Sequence, residues 1–196
     1  MVKEIMHRKA TVLLITLWII LFLLDKKLNL LSLFSGRGMR LIGHEYYRFA
    51  TGPLLHVNLV HLLVNIIALY WAGYFAEKHI GSIRYLAFGL IGSILSEMIY
   101  SCIFKYSDNN FGGSVWVFLY IGLLFILHIS KPGFPKFRLG TRYGNWIVGY
   151  SIIGNIPFLS FIPWFSFLSF GTVIIHLCAL AVGIILGLLG IYFKLL

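Results

Sequence analysis

Six strongly polar side chains lie inside long apolar stretches of the sequence, and they are the residues best placed to do unusual chemistry. They are His61, Asn65, Glu97, His128, Asn155 and His176. Such groups are costly in a lipid bilayer, and they mark either functional sites or hydrogen bonds between helices. A hydroxyl group such as that of Ser114 usually bonds back to its own helix. A chemical role for a serine therefore needs support from its neighbours.

The first supporting pattern lies around His61. His61 and Asn65 are four residues apart, which places them on one face of a helix. His56 lies five residues earlier, close to the expected start of that helix. The spacing differs from His-Glu-x-x-His, and no Glu separates the histidines, so the pattern does not indicate a zinc protease. We expect no metal and no cofactor here.

Two further patterns surround Ser114 and His176. Gly112 and Gly113 precede the serine, and glycine lets backbone N–H groups approach whatever lies beside the hydroxyl. His176 begins a stripe of small residues on one helix face, which allows a second helix to pack closely. The stripe continues through Ala179, Gly183 and Gly187.

These residues match the requirements of hydrolysis by a serine nucleophile. A serine attacks a carbonyl when a neutral histidine takes its proton. The resulting oxyanion needs donors such as a backbone N–H, an amide or an imidazole. Ser114 and His176 fill the first two roles, and His61 and Asn65 can donate to the oxyanion. Because Glu97 is the only acid well inside an apolar stretch, the sequence favours a Ser-His catalytic dyad.

The composition places this chemistry in a membrane. Hydrophobic residues make up 60% and charged residues 11% of the 196 positions, whereas average soluble domains are about 25% charged. The net charge is +10, but the basic residues are scattered between apolar runs, which indicates contact with lipid headgroups and no nucleic-acid partner. Cys102 and Cys178 lack C-x-x-C spacing, so we expect neither a disulfide nor a zinc site.

Six apolar stretches are long enough to span a bilayer, and they predict one all-α, polytopic membrane domain over residues 1–196. The predicted spans are 10–24, 57–77, 82–104, 112–129, 145–165 and 167–193. The long loop 25–55 contains apolar and aromatic residues, so we expect it to pack at the membrane interface. Residues 1–9 resemble a signal peptide, but no cleavage site follows, which favours an uncleaved first helix. Ten of the 16 Lys and Arg residues fall on the side of the termini, which favours cytoplasmic termini.

The order of these motifs resembles that of the rhomboid intramembrane serine proteases, over residues 45–187. The matching elements are Tyr47-Arg48-Phe49-Ala50-Thr51, the H-x-x-x-x-H-x-x-x-N pattern of His56, His61 and Asn65, Glu77-Lys78-His79-Ile80-Gly81, Gly112-Gly113-Ser114, and Ile175-His176 with Ala179 and Gly183. Each element is weak alone, but ordered elements on the expected spans are a strong signal.

The resemblance implies a six-transmembrane-helix bundle that hydrolyses peptide bonds in or near the transmembrane segments of membrane-protein substrates. Ser114 would be the nucleophile and His176 the general base and acid, with His61, Asn65 and the Ser114 backbone N–H as oxyanion donors. The supporting residues that it implies are His56, Gly112, Gly113, Phe118 (stacked on the histidine) and Gly183. Substrate would enter beside Trp164, Phe165, Phe167 and Phe170. We expect such a protein in the plasma membrane of a bacterium.

Two positions depart from the family pattern. Val115 and Ala179 replace glycines, and each substitution would widen the gap between the serine and histidine helices. The alternative is therefore a catalytically inactive rhomboid-like protein that binds membrane-protein clients. A second alternative, a small transporter, would use a proton path through His61, Glu97, His128 and His176, but the sequence lacks the inverted repeats typical of that class.

Overall fold

The chain folds into a bundle of α-helices, as predicted. The computed structural model describes residues 8–196, apart from the side chains of Pro157 and Phe158, and no β-strand occurs within them. Residues 1–7, including Lys3 of the charge count, lie outside the described part. The helices are α1 (Lys9–Leu28), α2 (Leu30–Phe34), α3 (Arg48–Thr51), α4 (Leu59–Phe75), α5 (Glu77–Ile80), α6 (Ser82–Ile103), α7 (Ser114–Ser130), α8 (Arg142–Ile153) and α9 (Phe170–Tyr192), with 3₁₀ turns at Gly52–Leu54, Pro157–Phe161 and Pro163–Phe165.

The outer surface of the bundle is apolar. Within the described residues, three helical stretches are long and apolar enough to cross a membrane: Leu59–Ile80, Ser82–Ile103 and Pro163–Tyr192. The apolar helix Ser114–Ser130 is shorter. The outer helices expose large aliphatic side chains such as Leu13, Ile67, Ile91 and Ile185. This surface is suited to lipid and poorly suited to water.

The helix α7 is the centre of the bundle, because it is surrounded by other helices. Every residue from Gly112 to Leu124 is buried, which fits a helix that is apolar on all sides. Its closest neighbour is α9, and the two backbones touch. A Cβ atom on Gly183 would collide with the carbonyl oxygen of Leu119, and one on Gly122 would collide with that of Leu180.

A buried carboxylate anchors the start of α1. Glu77 accepts hydrogen bonds from the backbone N–H groups of Ala10 (2.8 Å) and Thr11 (2.9 Å) and from the Thr11 hydroxyl (2.6 Å). A helix start has unpaired N–H groups, and its dipole favours a negative charge. Gly81 then ends α5 with φ of 82°, a conformation that favours glycine. The Glu77–Gly81 motif therefore ties α1 to α4 and α6.

The loop 25–55 is folded and packed. Helix α1 extends to Leu28 and ends at Asn29, whose φ is 52°. The buried side chain of Arg48 donates to Glu45 (2.8 Å) and to the carbonyl of Ser35 (3.0 Å). Gly36 pairs with Asn110 in an isolated bridge, which fixes this loop to the segment before α7.

Helix α8, which corresponds to the fifth predicted span, is shorter than the predicted range 145–165. Helix α8 ends at Ile153, and two 3₁₀ turns replace the rest of the predicted span. Pro157 and Pro163 explain this difference, because proline lacks the N–H group that a helix interior requires. The chain between Ile153 and α9 is therefore an irregular segment with apolar side chains.

The contact between α7 and α9 yields a prediction about stability. Gly183→Ala should lower the free energy of unfolding by about 1–3 kcal/mol, because its methyl group meets backbone that cannot rotate away. The matched control is Gly149→Ala in α8, where a Cβ would meet no atom within 4 Å and alanine favours the helix. Thermal unfolding in detergent compares the two. Equal melting temperatures for Gly183→Ala and the wild type would contradict the close contact.

Candidate functional site

A small cavity lies where the starts of α4, α7 and α9 meet the end of α8. Its volume is about 40 Å³, enough for a few water molecules. It is on the same side of the bundle as the loop 25–55, opposite the start of α1 and the end of α9. The four side chains singled out for chemistry all line it: His61, Asn65, Ser114 and His176.

Ser114 is the first residue of α7, and the chain before it is shaped to place it there. Gly112 has φ of 131°, which favours glycine. A Cβ on Gly112 would lie 2.8 Å from Cε1 and 2.9 Å from Nε2 of His61. The backbone N–H of Ser114 lies at a helix start, where N–H groups lack intrahelical partners. Ser114 therefore offers both a hydroxyl and a backbone donor at one point.

His56 holds the chain just before the serine. Its Nε2 accepts a hydrogen bond from the Gly113 N–H (3.3 Å), and its ring packs 5.0 Å from that of Trp18 and 5.1 Å from that of His61. Burial lowers the pKa of His56 well below its usual range, and the nearby His61 lowers it further. A neutral imidazole is what this geometry requires, because only an unprotonated nitrogen can accept the Gly113 hydrogen.

The imidazole of His176 is held on one face and on one edge. Phe118 stacks on its face, with ring centres 4.1 Å apart. Its Nδ1 is 3.1 Å from Oδ1 of Asn155. Its Nε2 is buried, and it has no hydrogen-bond partner within residues 8–196. The Ser114 hydroxyl lines the same cavity without a hydrogen bond to His176 among the described residues, and such bonds often form only when substrate is bound.

The other two polar residues singled out in the cavity, His61 and Asn65, each have a polar atom without a hydrogen-bond partner among the described residues. His61 stacks on Phe167 at 4.1 Å, and its Nδ1 is buried without a partner in the described chain. Asn65 accepts a hydrogen bond from the Tyr150 hydroxyl on Oδ1 (2.8 Å). Since that contact fixes the amide, the Asn65 Nδ2 atom is left buried and unpaired among residues 8–196. Two side chains thus have spare hydrogen-bonding capacity beside Ser114.

Sequence reasoning gave no role to Tyr150 or Asn155. Asn155 stood out as a polar residue in an apolar stretch, but nothing in the sequence indicated its contact with His176. Tyr150 carried no signal at all, since a tyrosine in an apolar stretch is ordinary. Tyr150 lies in the last turn of α8 and Asn155 lies two residues after that helix, and their partners Asn65 and His176 are on α4 and α9.

The cavity is covered by the segment between α8 and α9. Phe165, Phe167 and Leu168 line it, and the carbonyl of Trp164 accepts a hydrogen bond from Asn58 (3.4 Å). Trp164 and Phe170 are largely exposed. The aromatic residues expected at a substrate entrance therefore divide into two that cover the cavity and two that face outward.

The four residues of the proton path in the transporter alternative do not form a continuous chain of hydrogen bonds among the described residues. Glu97 is fully buried and accepts a hydrogen bond from the Asn110 side chain. His128, at the far end of α7, accepts from the Phe137 N–H (3.0 Å). Neither is hydrogen-bonded to His61 or His176 within the part of the chain described. These contacts hold loops in place and give the transporter alternative no support.

The two residues that replace glycines of the family pattern, Val115 and Ala179, are buried in the core. Val115 is 2% exposed and Ala179 is fully buried. The direct backbone contact between α7 and α9 persists further along both helices, at Gly122 and Gly183. The extra methyl groups are therefore compatible with close packing of the serine and histidine helices.

The fold and the cavity define a helical membrane protein with a serine and a histidine in a buried polar pocket. A family model described as the Rhomboid domain matches residues 43–193. The "Rhomboid-type serine protease 2" of the fungus Gibberella zeae is 31% identical over 147 residues, which cover 72% of this chain and 51% of the relative. The chain therefore belongs to the rhomboid family and is an integral membrane protein. It spans about half the length of that relative.

Proposed function

We propose that this protein is an intramembrane serine protease that works through a Ser114–His176 dyad. The observation that carries the proposal is the Nε2 atom of His176, which has no hydrogen-bond partner among residues 8–196 and belongs to a side chain in the cavity that Ser114 lines. A base needs such a free nitrogen to take the serine proton. The relative's name as a serine protease supports the same reaction class.

The reaction follows from these groups. The Ser114 hydroxyl gives its proton to Nε2 of His176 as its oxygen bonds to the carbonyl carbon of the scissile peptide. The negative oxygen accepts hydrogen bonds from Asn65 Nδ2, an N–H group of His61 and the Ser114 backbone. His176 returns the proton to the leaving amine as the C–N bond breaks. Water then hydrolyses the ester on Ser114, with His176 again acting as the base.

The substrates are transmembrane proteins, and they must enter sideways or from the loop face. A cavity of about 40 Å³ cannot hold a peptide, so the segment that carries Phe165 and Phe167 has to move. A helical substrate would present carbonyls that are already hydrogen-bonded. We therefore expect cleavage where a substrate span unwinds easily, at glycine, proline or small residues.

We propose that the site faces the outer side of the membrane. Charge counting puts the termini in the cytoplasm, and the cavity lies on the opposite side of the bundle. Six basic residues would then lie outside, against the usual rule. Two of them are bound within the fold, because Arg48 and Arg37 both pair with Glu45. We propose this orientation, with six spans, in the plasma membrane of a bacterium.

The dyad is tested by removing each member. Ser114→Ala and His176→Ala should abolish cleavage of a generic transmembrane substrate, and Ser114→Ala should also abolish labelling by a fluorophosphonate. Ser96→Ala is the matched control, because Ser96 is a buried serine whose hydroxyl bonds to the Gly92 carbonyl. It should keep wild-type cleavage. Folded wild-type protein that neither cleaves nor labels, in detergent and in bilayers, would indicate the inactive client-binding alternative.

The oxyanion donors are tested by their effect on kcat. Asn65→Ala should lower kcat about a hundredfold with little change in KM, because its amide acts mainly on the developing charge. Tyr150→Phe, which frees the Asn65 amide to rotate, should lower kcat about three- to tenfold. The control is Tyr143→Phe on the same helix, whose hydroxyl donates to the Leu124 carbonyl away from the cavity. A change confined to KM would contradict this role for Asn65.

The orientation is tested with alkaline phosphatase, which is active only outside the cytoplasm. A fusion after Tyr106, in the exposed connection between α6 and α7, should be active in a bacterial host. A fusion after Leu196 should be inactive. The reverse pattern would place the site on the cytoplasmic face.

A further inference from the structure

His176 has a hydrogen-bonding partner that the two-residue dyad does not include. Its Nδ1 is 3.1 Å from the Asn155 side-chain oxygen, and its Nε2 is unpaired within residues 8–196. We propose that Asn155 is a positioning residue that fixes the tautomer and the ring orientation of His176. The Ser-His pair then has a third, supporting member, Asn155. The proposal rests on the proposed protease function.

The orientation of the Asn155 amide is itself fixed. Its Nδ2 donates to the backbone carbonyl of Ser151 (2.8 Å), so its oxygen must point the other way, toward His176. A flipped amide would put its oxygen against the Ser151 carbonyl oxygen, and both atoms are acceptors only. The oxygen of Asn155 can therefore only accept from His176, which requires the proton to be on Nδ1.

That tautomer is the one that a general base needs. A neutral imidazole carries one proton, so a proton on Nδ1 leaves Nε2 with a free lone pair. In the opposite tautomer, Nε2 would carry the proton and could not accept another from Ser114. The Asn155 contact thus keeps the cavity-facing nitrogen in its reactive form. It also prevents rotation of the ring, whose face is covered by Phe118.

The end of α8 at Ile153 makes the contact between Asn155 and His176 possible. After Ile153 the N–H of Asn155 bonds to the Ile152 carbonyl (3.0 Å), so the Ser151 carbonyl is not taken by the regular helix bond. The Asn155 side chain occupies it instead. Gly154 lies against Phe118, because a Cβ there would be 3.2 Å from the ring. A helix that continued to residue 165 would carry Asn155 away from this position.

The test uses Asn155→Leu, which keeps the size of the side chain and removes the acceptor. In this variant kcat should fall about ten- to a hundredfold, because the loss of Asn155 removes only a part of the rate enhancement from general-base catalysis. The KM should stay within about twofold of the wild type. Asn155→Asp keeps an acceptor for His176 but loses the donor to the Ser151 carbonyl, so it should recover only a part of kcat. Asn145→Leu is the control, because Asn145 is an exposed asparagine at the other end of α8. Thermal unfolding of each variant identifies any loss through misfolding.

A second readout does not depend on turnover. The ¹⁵N resonances of His176 in labelled protein should show the Nδ1–H tautomer in the wild type and a shift toward Nε2–H in Asn155→Leu. An unchanged tautomer in Asn155→Leu, or a kcat within twofold of the wild type, would overturn the proposal. Wild-type protein without Ser114-dependent cleavage would refute the protease function instead, and the tautomer measurement would still decide the role of Asn155.

Discussion

The direct backbone contact between α7 and α9 is the constraint on which the site depends. Gly122 and Gly183 let the two helices touch, and Ser114 and His176 lie two turns from these glycines on the same pair of helices. Side chains wedged between the backbones would separate the hydroxyl from the imidazole, and a shift of about 1 Å can cost a hundredfold in rate. Val115 and Ala179 are buried on these two helices, and the backbone contact at Gly122 and Gly183 is present beside them. In the proposed mechanism, close packing here keeps the Ser114 hydroxyl near the His176 imidazole.

A second constraint comes from the bilayer, where a polar atom must find a partner or face a wet cavity. Glu77 satisfies it by capping α1, and one oxygen of Glu97 does so by its bond with Asn110. The unpaired atoms of His61, Asn65 and His176 differ from these, because all three residues line the cavity. Other buried atoms, such as Glu97 Oε1 and His56 Nδ1, also lack a partner among residues 8–196, so what distinguishes these three residues is that their unpaired atoms belong to side chains lining one cavity.

The sequence was sufficient for the all-α class and for the family, because both are encoded in local patterns: apolar stretches, and motifs whose members are a few residues apart. Those patterns also led to the four residues that the fold brings to one cavity. They could not give the partners of Asn65 and His176, because Tyr150 and Asn155 are 85 and 21 residues away from them. The early end of α8 was readable in Pro157 and Pro163, but the apolar stretch suggested a longer span. Hydropathy measures the length of an apolar stretch and not the continuity of its helix.

The chain around the end of α8 has two roles that place opposite demands on it. Tyr150 and Asn155 hydrogen-bond to Asn65 and His176. The same chain then leads into the segment whose Phe167 covers His61. In the proposed mechanism, movement that admits a substrate would therefore begin close to the residues that organise the site. A pivot between Asn155 and Pro157, where the 3₁₀ turns begin, would let the covering segment move while Tyr150 and Asn155 keep their contacts. A continuous helix through residue 165 would link the two, and in the proposed mechanism its opening would disturb the orientation of His176. The early end of α8 is therefore compatible with both substrate access and a fixed His176.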